Sequence, residues 1–287
     1  MTADTASLVR RYYERNTRLF LALGTGWRML AMRRAVWADG VENLPQAVDY
    51  VNGLVAAEAR SRAAANEERE LRVLDIGCGV GGSLFFLAGT VGAPLRGVGV
   101  TISPRQAGIA QRQARRRGLS AKCSFIAADF AGVSGLPLFD LAFAIESFVH
   151  FTTPAAFFAS AARSLAPGGR LIVIDDFLSG DRRSRKEDQL VDAFRQGWLL
   201  PSLCTVRRAV RSAAECGLRL VEERNLSACL SLLPLNACLG WWGVRVTRAI
   251  PVPSPYWSSS VGSLALASCQ RAGLVEYRFI MFEKMQV

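Results

Sequence analysis

The sequence predicts an α/β protein whose mostly parallel sheet is covered by helices on both faces. Three observations point there. From Leu71 onward, short apolar runs alternate with stretches of helical periodicity. The first of those runs ends in a glycine turn that opens a helix. The chain has 287 residues, 51% of them apolar and 21% charged, which is ample for a full core.

Residues 6–60 read as helical, because Leu8, Tyr12, Leu19 and Leu23 recur near a 3.6-residue period, as do Val48, Val51 and Val55. Gly24 and Gly26 break the first helix, and Pro45 marks the start of another. Residues 56–70 turn small and charged, suiting a helix end that leads into a new unit. Strands are expected at 71–76, 97–100, 124–127, 141–145, 170–174, 218–224 and 275–284. Helices are expected around 82–90, 104–117, 154–165 and 205–216, and Arg182 to Lys186 reads as a polar loop. The segment 226–270 is set apart by having only Arg245 and Arg248 as charges.

Composition removes several function classes. The seven cysteines are odd in number and never spaced as C-x-x-C, and His150 is the lone histidine. A disulfide framework and a Cys-rich or multi-histidine metal site are therefore not expected, and the thiols suit a reducing cytoplasm. The net charge of +11 raises nucleic acid as a partner, but only three of the 35 basic residues are lysines. An arginine skew of that kind reflects source composition more than a binding patch, so no nucleic-acid partner is expected. The polar start, Met1 to Ser7, does not read as a signal peptide. The uncharged run Leu226 to Val244 is interrupted by Pro234, Asn236 and Gly240, so it is read as buried or pocket-lining, not as a membrane span.

The sharpest motif is Val73-Leu74-Asp75-Ile76-Gly77-Cys78-Gly79-Val80-Gly81-Gly82. Gly77 and Gly79 admit positive φ and let a ligand approach main-chain amides at the helix start. Asp75 just before the turn suits a ligand bearing a positive amino group and would repel a pyrophosphate, which weighs against a dinucleotide. Here the chain resembles the class I S-adenosylmethionine-dependent methyltransferases, over about residues 70–175. The resemblance implies a Rossmann-like seven-stranded sheet in a domain spanning 67–287, an N-terminal helical cap over 1–66, and a lid at about 226–270. It implies S-adenosyl-L-methionine as cofactor, released as S-adenosyl-L-homocysteine. Asp75, Gly77, Cys78, Gly79 and Gly81 would then hold the methionine moiety, and Asp129 with Phe130 the adenine. Many members carry an acid at the end of the second strand, where this chain has Thr101; Thr101, Ile102 and Gln106 would meet the ribose. Ile145 at the exit of the fourth strand, and Tyr12 and Tyr13 on an N-terminal helix folding over the cofactor, complete the implied set.

Gly-Val-Thr-Ile-Ser followed by Gln106 resembles the subset that methylates carbon, which includes cyclopropane synthases and geranyl diphosphate C-methyltransferases. Glu146-Ser147-Phe148-Val149-His150 resembles the E-S-x-x-H run of sterol and tocopherol methyltransferases. Carbon methylation of an alkene leaves a cation that must lose a proton, so Glu146 and His150 are the catalytic candidates. A purely structural role for both stays open, as does O- or N-methylation of a natural product. Trp37, Phe148, Trp198 and Trp241 are candidates to line the acceptor site, each with core packing as its alternative. The apolar 226–270 segment suits a lid over a small prenyl- or terpenoid-like acceptor, and equally an interface in a homo-oligomer. Arg33 and Arg34 are candidates to hold a diphosphate.

Overall fold

In the computed structural model, residues 2–23, 30, 33–65, 69–231, 244 and 255–286 are described. Seven strands form one sheet: β1 (Leu71–Ile76), β2 (Leu95–Thr101), β3 (Cys123–Ala127), β4 (Phe139–Ile145), β5 (Leu165–Leu178), β6 (Leu218–Asn225) and β7 (Val275–Lys284). Their spatial order is β3-β2-β1-β4-β5-β7-β6, parallel throughout except that β7 runs antiparallel to both neighbours. The described helices are α1 (Thr2–Leu23), α2 (Leu44–Ala64), α3 (Gly82–Thr90), α4 (Pro104–Arg116), α5 (Pro154–Ser164), α6 (Arg185–Trp198), α7 (Val206–Ala214) and α8 (Pro255–Arg271).

The strands are apolar on both sides because both sides are covered. Leu71 and Val73 pack with Val51, Val55 and Ala59 of α2, with α3 and with α4; Leu74 and Ile76 point the other way, into the core built with α5 to α8. Residues before and after position 66 thus share one core. β6, at the edge, instead alternates buried or half-buried residues with exposed ones along its first half. Side chains cap several helix starts: Asn43, Ser103, Thr153, Ser184 and Thr205 each accept from a main-chain N–H of the first turn. Pro104 and Pro154 sit just after two of those caps, where their missing N–H costs nothing.

Two helices lie where none was expected. Ser184 and Glu187 form a reciprocal capping box that starts α6 inside what reads as a polar loop. Its buried face, Leu190, Val191 and Phe194, is diluted by charged neighbours and so is inconspicuous along the chain. α8 lies inside the segment expected to be a lid. It packs along α6 so closely that a Cβ on Gly262 would fall 2.5 Å from the Trp198 ring. Residues 232–243 and 245–254 of that segment lie outside the described residues. No described helix is long and apolar enough to cross a membrane.

Phe148 is fully buried, stacked on Phe177 with centroids 5.6 Å apart and meeting Phe157 edge-on at 5.1 Å. It belongs to the core and not to an acceptor site. Phe148→Ala is expected to lower unfolding free energy by about 3–5 kcal/mol, read as a fall in the urea midpoint at unchanged m-value.

Candidate functional site

Strand order reverses between β1 and β4, and the carboxyl ends of those strands border a cavity of about 170 Å³. The turn after β1 forms its floor. Gly77 (φ 84°) and Cys78 donate main-chain N–H groups to the Val100 carbonyl at 2.8 and 3.0 Å, which ties the turn to β2. A Cβ at position 77 would sit 2.4 Å from Ser147 Cβ, so only glycine lets the turn lie against the end of β4. Gly81 (φ 89°) shapes the turn from behind: it caps α3, and a Cβ there would meet the Phe125 ring at 2.7 Å. Gly79 and Cys78 line the cavity.

Asp75 is 3% exposed, and its Oδ2 has no hydrogen-bond partner. Burial pushes its carboxyl up to about 8, with Arg33 pulling the other way. A buried acceptor left unsatisfied is costly, and a ligand ammonium would relieve it. Arg33, also on the wall, is held by Ser83 Oγ at 2.7 Å, by the Val48 carbonyl at 3.0 Å and by Asp49 at 3.3 Å.

At the far end, Thr101, Ile102, Gln106, Asp129 and Phe130 all reach the cavity. Thr101 Oγ1 donates to Gln106 Oε1 at 2.7 Å, and Gln106 Nε2 donates to Thr17 Oγ1 on α1 at 3.2 Å. Each keeps spare hydrogen-bonding capacity, the threonine a lone pair and the amide a second N–H. Asp129 accepts from Ala131 N at 3.1 Å, and Phe130 meets Phe151 edge-on.

Glu146, Ser147 and His150 follow β4, joined by Ile145 on the wall. Glu146 is held at φ 50°, a left-handed conformation that costs a non-glycine residue about 1–2 kcal/mol. Three donors converge on its Oε1: the Arg34 main-chain N–H (3.1 Å), Arg34 Nε (3.4 Å) and the Tyr277 hydroxyl (2.9 Å). His150 lies on a tight turn, Phe148–His150, whose Val149 N–H donates to the buried Asp175 at 3.2 Å. Burial pushes the imidazole down to about 4, the Leu199 carbonyl opposing, so it is neutral at pH 7. Neutral imidazole carries one N–H. Nδ1–H donating to Leu199 O (3.1 Å) leaves Nε2 to accept from the Tyr13 hydroxyl (2.7 Å), itself held protonated by burial. Glu146 and His150 therefore share the cavity wall, the first on a left-handed residue and the second on a 3₁₀ turn.

Several expected site residues sit elsewhere. Tyr12 turns away from the cavity, its hydroxyl 2.7 Å from Ser259 Oγ on α8 and its ring edge-on to Trp198. Trp198 is packed between helices α6 and α8, so it too faces the core. Trp37 is 38% exposed on a strap where its main-chain N–H meets the Cys229 carbonyl. Trp241 lies outside the described residues. Arg34 is not open to a diphosphate: Asp176 takes its guanidinium through both carboxylate oxygens, each at 2.9 Å. Sequence reading also missed Asp176 and Tyr277 as site residues. The only local signal was a pair of acids, Asp175-Asp176, inside a buried strand.

A model of the family described as "Methyltransferase domain" matches residues 73–169. The chain is 31% identical over 181 residues to an O-methyltransferase from Aspergillus nomiae, covering 61% of this chain and 73% of that protein. It is 31% identical over 159 residues to a sterol 4-C-methyltransferase from Caenorhabditis elegans, covering 53% and 46%. The fold is similar to that of a cyclopropane synthase from Mycobacterium tuberculosis, with a TM-score of 0.75, 18% identity and coverage of 97% and 98%. The chain spans about half the length of the first curated relatives it matches.

Asp75 makes a pH-dependent contribution whose sign is fixed by its raised folded value. Between about pH 4 and 8 the folded state keeps a proton that the unfolded chain has released, so this contribution is complete below that window and is lost as pH rises through it. Asp75→Asn should therefore gain stability relative to wild type at pH 8.5 compared with pH 5, read as a rise of its urea midpoint relative to that of wild type. A constant difference would show that Asp75 does not titrate there.

Proposed function

The chain belongs to the class I S-adenosylmethionine-dependent methyltransferases, and on that premise we propose that it methylates a small apolar acceptor at carbon. The observation that carries this reading is Glu146, fixed through Oε1 on the cavity wall. Its Oε2 receives no hydrogen bond among the described residues.

The residues present fit the cofactor. Asp75, with its unpartnered buried Oδ2, suits the α-ammonium of an amino acid, and the Gly77–Gly79 main chain suits close approach by the same moiety. Thr101 and Gln106 offer their spare capacity to ribose hydroxyls, and Asp129 an acceptor to the adenine amino group. When bound, S-adenosylmethionine supplies an electrophilic methyl on sulfur, so the protein has mainly to align an acceptor and exclude water. Val9, Leu30 and Phe151 give that part of the wall an apolar character. Arg33 and Arg34 are both paired with carboxylates, which favours an acceptor without phosphate.

Methyl transfer to an alkene carbon leaves positive charge on the acceptor's neighbouring carbon. The Tyr13 and Phe151 rings offer that charge a favourable π surface. Glu146 Oε2 then takes a proton from an adjacent carbon; the C–H electron pair becomes the new double bond and the O–H bond forms. A second reading, O- or N-methylation, draws on the neutral His150 and its Tyr13 partner, which could accept a proton from an acceptor hydroxyl, and on the O-methyltransferase among the relatives.

Two measurements decide between them. Calorimetry with S-adenosylhomocysteine tests the cofactor, and no binding at millimolar ligand overturns both readings. Incubation with methyl-labelled cofactor and a set of prenylated and hydroxylated acceptors, followed by NMR, locates the label on carbon or heteroatom. Glu146→Gln should keep S-adenosylhomocysteine affinity and lose at least about 100-fold in turnover. Unchanged turnover with the label on oxygen would leave His150 as the base, and His150→Phe should then abolish transfer.

A further inference from the structure

We propose that Arg34 is the positioning residue of Glu146, carried to the site on a pinned strap and held there by Asp176 and Tyr277. The proposal rests on the reading of Glu146 as the proton acceptor and adds to it what fixes that group.

Arg34 follows α1 on a short stretch, residues 33–37, tied down at several points. Arg33 Nε bonds the Val48 carbonyl, and Val36 N–H bonds the Ala47 carbonyl at 2.8 Å. Val36 bridges to Leu230, and Trp37 N–H meets Cys229 O at 2.6 Å. The strap is thus clamped between α2 and the chain following β6. From it, Arg34 makes two kinds of contact with one oxygen, Glu146 Oε1, through its main-chain N–H and through Nε. The guanidinium cannot swing, since both of its outer nitrogens are taken by Asp176 and its Cζ lies 4.1 Å from the Tyr277 ring centroid. The Tyr277 hydroxyl adds its own bond to Oε1.

A planar, five-donor fork is what such a double engagement needs; a lysine ammonium has charge but no second edge. Burial works against the Arg34 charge, yet Asp176 and Glu146 more than offset it and the guanidinium is held firmly protonated. The burial of Asp176, which alone would favour its neutral form, is opposed by Arg34. The remaining charged or titratable groups around Glu146 are Arg33 on the strap, Asp175 on β5, Tyr13 on α1 and His150 on the turn after β4. Tyr13 and His150 are held in uncharged forms by burial, burial pushes the Asp175 carboxyl toward its neutral form, and Arg33 is already paired with Asp49. Arg34 is therefore the cation whose removal the Glu146 carboxylate should feel most.

The test needs no acceptor. In the full chain labelled at the glutamate carboxyl carbon with ¹³C, the resonance lost in Glu146→Gln identifies Glu146, and its position and width are read by NMR at one fixed pH. Arg34→Met should shift and broaden that resonance, because the Nε bond to Oε1 and the Asp176 anchor are gone. Arg34→Lys should also shift and broaden it, since charge is retained without the fork. Tyr277→Phe should shift it by the loss of one bond. Should Arg34→Met fail to fold, Arg34→Met/Asp176→Asn removes the stranded carboxylate and should show the same broadening. A resonance unmoved and equally sharp in the folded single or double variant, or in Arg34→Lys, overturns the proposal. Its failure is separable from failure of the functional reading, which Glu146→Gln turnover decides alone: full loss of turnover with an unchanged resonance discards Arg34 and keeps Glu146.

Discussion

The site depends on how closely the main chain of one turn can approach two neighbouring strands. Between positions 77 and 81 the chain must run against Ser147 on one side and Phe125 on the other, at distances that leave no space for a Cβ. Glycine supplies both the close approach and the positive φ. Gly99 continues the same logic on β2, where a Cβ would crowd Cys78 Sγ at 2.8 Å and lift the turn off the sheet. Because the turn lies low, the carboxyl at position 75 is sealed from water and the space above the turn is left open as a cavity.

Burial of acid then organises the rest of the cavity. Asp75 is left without a partner for Oδ2, whereas Glu146 Oε1 is held by Arg34 and Tyr277, and Asp176 by Arg34. Asp75 keeps an unmet electrostatic demand, suited to ligand recognition, and Glu146 Oε1 has its demand met internally, suited to holding a side chain still. His150 and Tyr13 form a third, uncharged unit on the same cavity wall. The left-handed backbone of Glu146 belongs with this arrangement: strain at one residue is sustained by three hydrogen bonds from two distant segments.

Much of the sheet could be read locally. The runs at Leu71–Ile76 and Val275–Lys284 and the helix Gly82–Thr90 were legible to the residue, because buried strands and a short helix behind a glycine turn leave compact patterns. α6 was not, since its apolar stripe is narrow and its start is a capping box hidden in a charged stretch. Aromatic residues were the weakest guide. Tyr12 and Tyr13 are adjacent in sequence, but a helix turns neighbours about 100° apart, so one faces the cavity and the other Ser259. Phe148 sits between Glu146 and His150 in sequence and yet points into the core.

By itself the sequence determined the mostly parallel sheet and the cavity-facing glycine turn with its acid, while Asp129, Glu146 and His150 came through the family resemblance. The sheet and the turn are short-range features, set by periodicity and by the special conformations of glycine. Only the tertiary structure decided that Arg34, Asp176 and Tyr277 belong with Glu146, which lies 112 positions from the first and 131 from the last. Their meeting follows from β4, β5 and β7 lying side by side and from a strap pinned across their ends. No local pattern carries that information, because strand order is settled by how the whole chain buries its apolar faces.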